Sequence, residues 1–279
     1  MTKPEIIFFG NGPLAKYTLS VLESSCNILF HAKEKVDLDT VKALKKSHPN
    51  AFGVLASYGV IIKSDVLDLF EPIGILNLHP SLLPKYRGPS PIETAIKNGD
   101  TTFGVSIMKL APAMDAGPIY YQTSLEFPLD TSKDSIYQSL GEAGATWLLE
   151  HLANLPTPSP QDDSHATYTE KLDKSMSALD PTKNTALELS NRIRAFADFP
   201  KSKLEIRDLD CTIIKAHPES SEFTPDEHTF VVNFTSKKIG KPTKLSLCCR
   251  NNTYLTIDEI QPAGRKIMDA KSFINGYLK

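Results

Sequence analysis

The chain is poor in cysteine, in tryptophan and in long apolar runs, and each shortage removes a class of protein. Its four cysteines, Cys26, Cys211, Cys248 and Cys249, contain no C-x-x-C pair, and the adjacent Cys248 and Cys249 would point to opposite faces of a strand. A disulfide framework is therefore not expected; reduced thiols in a cytoplasmic protein are. No apolar stretch reaches the roughly 20 residues of a membrane helix, and the longest, 53–62, is broken by Ser57, Tyr58 and Gly59. The N-terminal run Ile6 to Phe9 is shorter than the roughly 7–15 residue core of an export signal. Internal repeats, low-complexity tracts and His/Cys/Asp clusters with ligand spacing are also missing, so neither a repeat array nor a metal is expected.

What is present is a globular composition, 41% hydrophobic and 23% charged, in 279 residues. That length exceeds one typical domain, and two are expected. A net charge of −2 argues against a nucleic-acid partner until it is divided along the chain. Residues 181–279 carry 16 Lys and Arg against 12 Asp and Glu, leaving 15 against 21 in residues 1–180. An acidic first part precedes a mildly basic second part.

The first part alternates strand and helix patterns. Strands are predicted at Glu5 to Phe9, Asn27 to His31, Phe52 to Ser57, Ile73 to Leu78 and Phe103 to Met108, followed by extended chain over Pro118 to Phe127. Helices are predicted after the Gly10-Asn11-Gly12 turn, over Val36 to Ser47 and Ile92 to Lys97, and from Asp130-Thr131 to about Leu152, where Trp147 should pack on the sheet. This alternation implies an α/β domain with a Rossmann-like parallel sheet, whose ligands bind beyond the carboxyl ends of its strands. Pro156, Pro158 and Pro160, with the polar residues after them, read as a linker. The expected division is thus a domain over 1–155, a linker over 156–175 and a second domain over 176–279. In the last, one amphipathic helix over Asn184 to Phe196 precedes five short β-type runs, Lys203 to Arg207, Cys211 to Lys215, Thr229 to Phe234, Lys244 to Cys249 and Tyr254 to Ile257. Such short strands suggest a small closed barrel, OB-like in type.

The most informative stretch is Asn77-Leu78-His79-Pro80-Ser81-Leu82-Leu83-Pro84-Lys85-Tyr86-Arg87-Gly88. Asn77 and His79 are two apart at a strand end, so their side chains share a face. A carboxylate follows on the turn Met114-Asp115-Ala116-Gly117-Pro118, just beyond the next strand. Taken singly, His79 could cap its strand and Asp115 could serve its own turn. Together they make a coherent acyl-transfer set: an amide donor for an oxyanion, an imidazole to move protons and a carboxylate to orient it.

Asn77 to Gly88, the Asp115-Ala116-Gly117 turn, Ser57-Tyr58-Gly59 and Phe9-Gly10-Asn11-Gly12-Pro13 resemble the 10-formyltetrahydrofolate-dependent formyltransferases. Tyr168-Thr169-Glu170-Lys171-Leu172, Ile193-Arg194-Ala195-Phe196 and Ile260 to Lys266 resemble the methionyl-tRNA branch of that family. The resemblance implies that Asn77, His79 and Asp115 are catalytic and that Ser81, Leu82, Leu83 and Pro84 contact the folate. It further implies 10-formyltetrahydrofolate as formyl donor, initiator methionyl-tRNA as acceptor, no metal, no membrane, and a monomer. One departure stands out. The basic loop that usually follows the second strand in the tRNA branch is missing or very short here, since Ala32-Lys33-Glu34-Lys35 leads directly toward a helix. Either Lys85, Arg87 and the basic second domain grip tRNA, or the acceptor amine lies elsewhere.

A formyltransferase for an amino-sugar nucleotide keeps the chemistry and changes the acceptor; the run Lys237, Lys238, Lys241 and Lys244 argues for a phosphate-rich partner instead, unless it is only a solvated hairpin. A nucleotide-dependent oxidoreductase would use Gly10-Asn11-Gly12-Pro13-Leu14-Ala15 as a G-x-G-x-x-A turn with Glu34 near the ribose. A catalytically silent RNA-binding protein would not need Asn77, His79 and Asp115 together.

Overall fold

The computed structural model describes residues 3–226, 229–232 and 242–278. Their contacts divide into two compact units, one running to Ala95 and from Asp100 to Lys171, the other holding Ile96–Gly99 and the chain from Leu172 onward.

In the first unit, β1 (Glu5–Gly10), β2 (Asn27–Ala32), β3 (Phe52–Ala56) and β4 (Ile75–His79) lie in parallel in the order β2-β1-β3-β4. Every residue of β4 is buried, as expected of a strand covered on both faces. The intervening helices start where the chain supplies a stop for their free N–H groups. α1 (Pro13–Ser25) opens on proline, and α2 (Leu38–Ser47) is capped by Asp37, whose carboxylate accepts the Thr40 N–H at 2.8 Å. Asp37 thereby starts the helix two residues later than the apolar pattern predicted. α3 (Ser64–Leu67) is a single turn, too short to leave a periodic signal.

After α4 (Pro91–Asn98), β5 (Thr102–Lys109) pairs antiparallel with β4, and β6 (Ile119–Glu126) antiparallel with β5. The sheet is therefore parallel over four strands and antiparallel at this edge. The β5–β6 connection, residues 110–118, is shorter than the roughly dozen residues that a parallel crossover requires, so the chain must return as a hairpin. β4 thus borders the antiparallel edge, and its carboxyl end lies on the side of the sheet where open α/β folds bind ligands. α5 (Lys133–His151) closes the unit; Ser132 accepts the Ser135 N–H at 3.1 Å. Trp147 packs on the sheet as expected, its ring stacked 4.8 Å from Tyr121 of β6 and 4.4 Å from His151.

The second unit begins with α6 (Ala186–Ala195), whose start is a full capping box between Thr185 and Glu188. β7 (Ser202–Ile206), β8 (Leu209–Pro218), β9 (Thr229–Val232), β10 (Lys244–Cys249) and β11 (Thr253–Pro262) follow, with the short β12 (Met268–Asp269) and α7 (Ala270–Tyr277). Their order is β7-β8-β11-β10-β9, with β12 added to β11. Among the described residues no pairing joins β9 to β7, so the expected closed barrel is not seen and the described strands form a sheet open between those two. Its apolar face is filled from outside: Leu189 and Ile193 of α6 and Phe273 and Ile274 of α7 share one core with Ile213, Leu247 and Leu255. Helices therefore cover the surface that a barrel would enclose. The predicted strand ending at Phe234 is described only to Val232, and Lys237, Lys238 and Lys241 lie outside the described residues. No helix among the described residues is long and apolar enough to cross a membrane.

Candidate active site

β4 delivers Asn77 and His79 to the carboxyl end of the sheet on one face, each only 5% exposed. The imidazole is held from two sides. Nε2 lies 2.9 Å from the Tyr86 carbonyl oxygen, and because a carbonyl can only accept, this nitrogen carries the proton. Nδ1 faces Asp115 Oδ2 across 3.6 Å, close enough for an ion pair but long for a hydrogen bond. No hydrogen bond holds the Asn77 side-chain amide among the described residues, nor is it sealed away from solvent. The amide therefore has no protein partner to give up to a reacting carbonyl, and Nδ1 has only its long contact to Asp115.

Asp115 stands on the turn between β5 and β6 in the left-handed region, at φ 49°. Its carboxylate accepts the Gly88 N–H at 2.8 Å, which aims Oδ2 at the imidazole. Gly117 makes the turn possible, since a Cβ there would come within 1.8 Å of the Lys109 carbonyl oxygen. The structure thus brings His79 and Asp115 together from segments 36 residues apart, with Asn77 on the same face as His79.

Ser81 to Pro84 form the loop after β4 and are gripped by the antiparallel edge. The Ser106 hydroxyl donates to the Ser81 carbonyl at 2.6 Å and accepts the Leu83 N–H at 3.1 Å. The Gln122 side chain donates to the Leu83 carbonyl and to Ser106 Oγ, both at 2.8 Å. Leu82 lies over Gly104, where a Cβ would come 2.4 Å from its Cγ. Ser81 and Leu83 are consequently buried, while Leu82 and Pro84 stay half-buried at the surface of the loop. Ser106 and Gln122 went unnoticed in the sequence because polar residues on a strand read as its solvent face.

Arg87 departs from expectation. It is 2% exposed, and its guanidinium donates to Gln161 Oε1 at 3.1 and 2.7 Å and to Asp163 Oδ1 at 2.7 Å. Burial works against its charge, but the bonds to Asp163 and Tyr168 more than offset this and hold its pKa above the ordinary value. It is a structural cation with no free donor face for a polyanion. Lys85 is half-exposed, and its ion pair with Asp100 at 2.9 Å raises its pKa. In the first turn, the Asn11 N–H donates to the Ser57 carbonyl at 3.2 Å, and a Cβ at Gly10 would come 2.4 Å from the Ala56 carbonyl. Gly10 serves close strand packing, and the Asn11 N–H that a pyrophosphate would need is already spent.

Residues 13–152 match the formyl transferase model and residues 171–278 the formyl transferase C-terminal domain, and the chain belongs to the formyltransferase family. Within it, the methionyl-tRNA formyltransferase of Borrelia hermsii is 35% identical over 246 residues, covering 85% of this chain and 75% of that protein. Among solved structures, HypX from Aquifex aeolicus in complex with tetrahydrofolic acid shares the fold at TM-score 0.71 and 14% identity; the match covers all of this chain and 48% of that longer one. An N-formyltransferase from Helicobacter canadensis, in complex with folinic acid and dTDP-3-aminofucose, matches at TM-score 0.66 and 18% identity over 94% of this chain and 100% of that one.

Proposed function

We propose that this chain transfers the formyl group of 10-formyltetrahydrofolate to the α-amino group of initiator methionyl-tRNA. The observation that carries the reading is the set of buried Asn77 and His79 with the half-buried Asp115 at the carboxyl end of β4, in a chain whose relatives include methionyl-tRNA formyltransferases.

The donor set suits this chemistry. It offers an amide N–H, an imidazole and a carboxylate beside the loop Ser81 to Pro84, whose half-buried Leu82 and Pro84 would border the folate. When bound, that co-substrate supplies a formyl carbon and a nitrogen leaving group. The Asn77 amide donates to the oxyanion that forms as the neutral amine adds to the formyl carbon. His79 acts as the doubly protonated ring: with Nε2–H fixed on the Tyr86 carbonyl, its Nδ1–H is shared between that oxyanion and the Asp115 carboxylate. Asp115 holds the imidazole and takes the proton lost by the amine, which returns to the folate nitrogen as the C–N bond breaks. One proton moves from the attacking to the leaving nitrogen, and no enzyme side chain is acylated.

The short connection from Ala32 to Leu38 favours a second reading, in which the acceptor is an amino-sugar nucleotide. Incubation of the purified chain with 10-formyltetrahydrofolate and either charged initiator tRNA or an amino-sugar nucleotide separates the two. Formylation of methionyl-tRNA alone is the expected result; formylation of the sugar alone would transfer the assignment.

A further inference from the structure

We infer that Gln161 is a positioning residue for formyl transfer, acting through the Asp115 turn without touching substrate; this rests on the catalytic reading of Asp115 given above. Its side-chain amide is fully engaged. Nε2 donates to the carbonyl oxygens of Asp115 and Gly117, each at 2.8 Å, while Oε1 accepts from Arg87 Nε at 3.1 Å and Nη2 at 2.7 Å. Arg87 is fixed on its other side by Asp163 at 2.7 Å and the Tyr168 hydroxyl at 3.5 Å, and its backbone pairs with Thr167 and Thr169. Its neighbour Gly88 donates to Asp115 Oδ2 at 2.8 Å. The turn is therefore gripped twice, its backbone by Gln161 and its carboxylate by Gly88, and both grips converge on Arg87.

The grip has work to do. A non-glycine residue at φ 49° persists only where its surroundings over-determine it. The carboxylate it carries stands 3.6 Å from His79 Nδ1, so a small displacement of the turn changes the one contact on which the proton transfer depends. The side chain between two carbonyls and a guanidinium must donate twice on one side and accept on the other, which an amide alone among side chains does. Glutamate in its place would keep the Arg87 bonds but turn a lone pair toward two carbonyl oxygens.

The test uses the full chain with Gln161→Ala and Gln161→Glu, each alone and combined with Asp115→Asn, and measures kcat and both KM values. The expected result for each single variant is a kcat loss of about 10–100-fold with both KM values within about 2-fold, since misplacement of a reacting group by an ångström costs about that much. In the Asp115→Asn background, Gln161→Ala should cost less than about 2-fold more, because the turn it holds no longer carries the carboxylate. A raised KM with unchanged kcat, or a loss that multiplies that of Asp115→Asn, would overturn the inference alone. A wild-type kcat for Asp115→Asn by itself would overturn the catalytic reading beneath it. Should Gln161→Ala not fold, Gln161→Glu carries the same comparison.

Discussion

Burial pushes the Cys211 and Cys249 thiols up to about 11, so both stay protonated and unreactive at any pH well below that value. Cys248 alone among the four is half-exposed. Brief treatment with iodoacetamide at pH 8, followed by peptide mass spectrometry, should find Cys248 modified first and Cys211 and Cys249 only as pH approaches 11 or the chain unfolds. Equal labelling of all four in the native protein would refute that burial. Gly117 is equally specific. Because a Cβ there meets the Lys109 carbonyl at 1.8 Å, Gly117→Ala must displace the Asp115 turn. A loss of about 2–3 kcal/mol of stability is expected, seen as a lowered urea midpoint, together with a fall in kcat. The shared face of Asn77 and His79 at a strand end and the turn that carries Asp115 follow from strand phase and turn chemistry, while their catalytic roles rest on the resemblance; the placement was thus legible. Gln161 was not legible, since its separation of 74 positions from Arg87 hides the pairing and its proline-rich surroundings read as linker.

At the scale of elements, the loop after β4 takes its shape from β5 and β6. Ser106→Ala would strip the Ser81 carbonyl of its donor and leave the buried Leu83 N–H without an acceptor, a cost of about 1–3 kcal/mol. With the loop loosened, KM for 10-formyltetrahydrofolate should rise several-fold while KM for the tRNA changes little. An unchanged folate KM would contradict the assignment of Ser81 to Pro84. The parallel strands β1 to β4 were readable as continuous apolar runs flanked by helix caps. The antiparallel edge was not, because strand direction depends on connection length and on which neighbour a strand finds, neither of which alters its composition. The open sheet of the second unit was hidden for a related reason: α7 and the ten-residue strands β8 and β11 show only in three dimensions that helices cover the face.

For the molecule as a whole, the charge of −2 conceals an acidic first part and a basic second part, and the proposed acceptor is a polyanion. With Arg87 buried, tRNA affinity must come from cations elsewhere. KM for methionyl-tRNA should therefore rise steeply between 50 and 200 mM salt, linearly in log–log form with a slope near the number of phosphate contacts. A salt-insensitive acceptor KM would favour a small substrate. The role proposed for Asn77 is that of the oxyanion donor in formyl transfer to methionyl-tRNA. It is tested most directly by single-turnover transfer from 10-formyltetrahydrofolate with Asn77→Ala. The expected rate is lower by about 10²–10³, with binding of both substrates little changed; a rate near that of the unaltered protein would contradict the account.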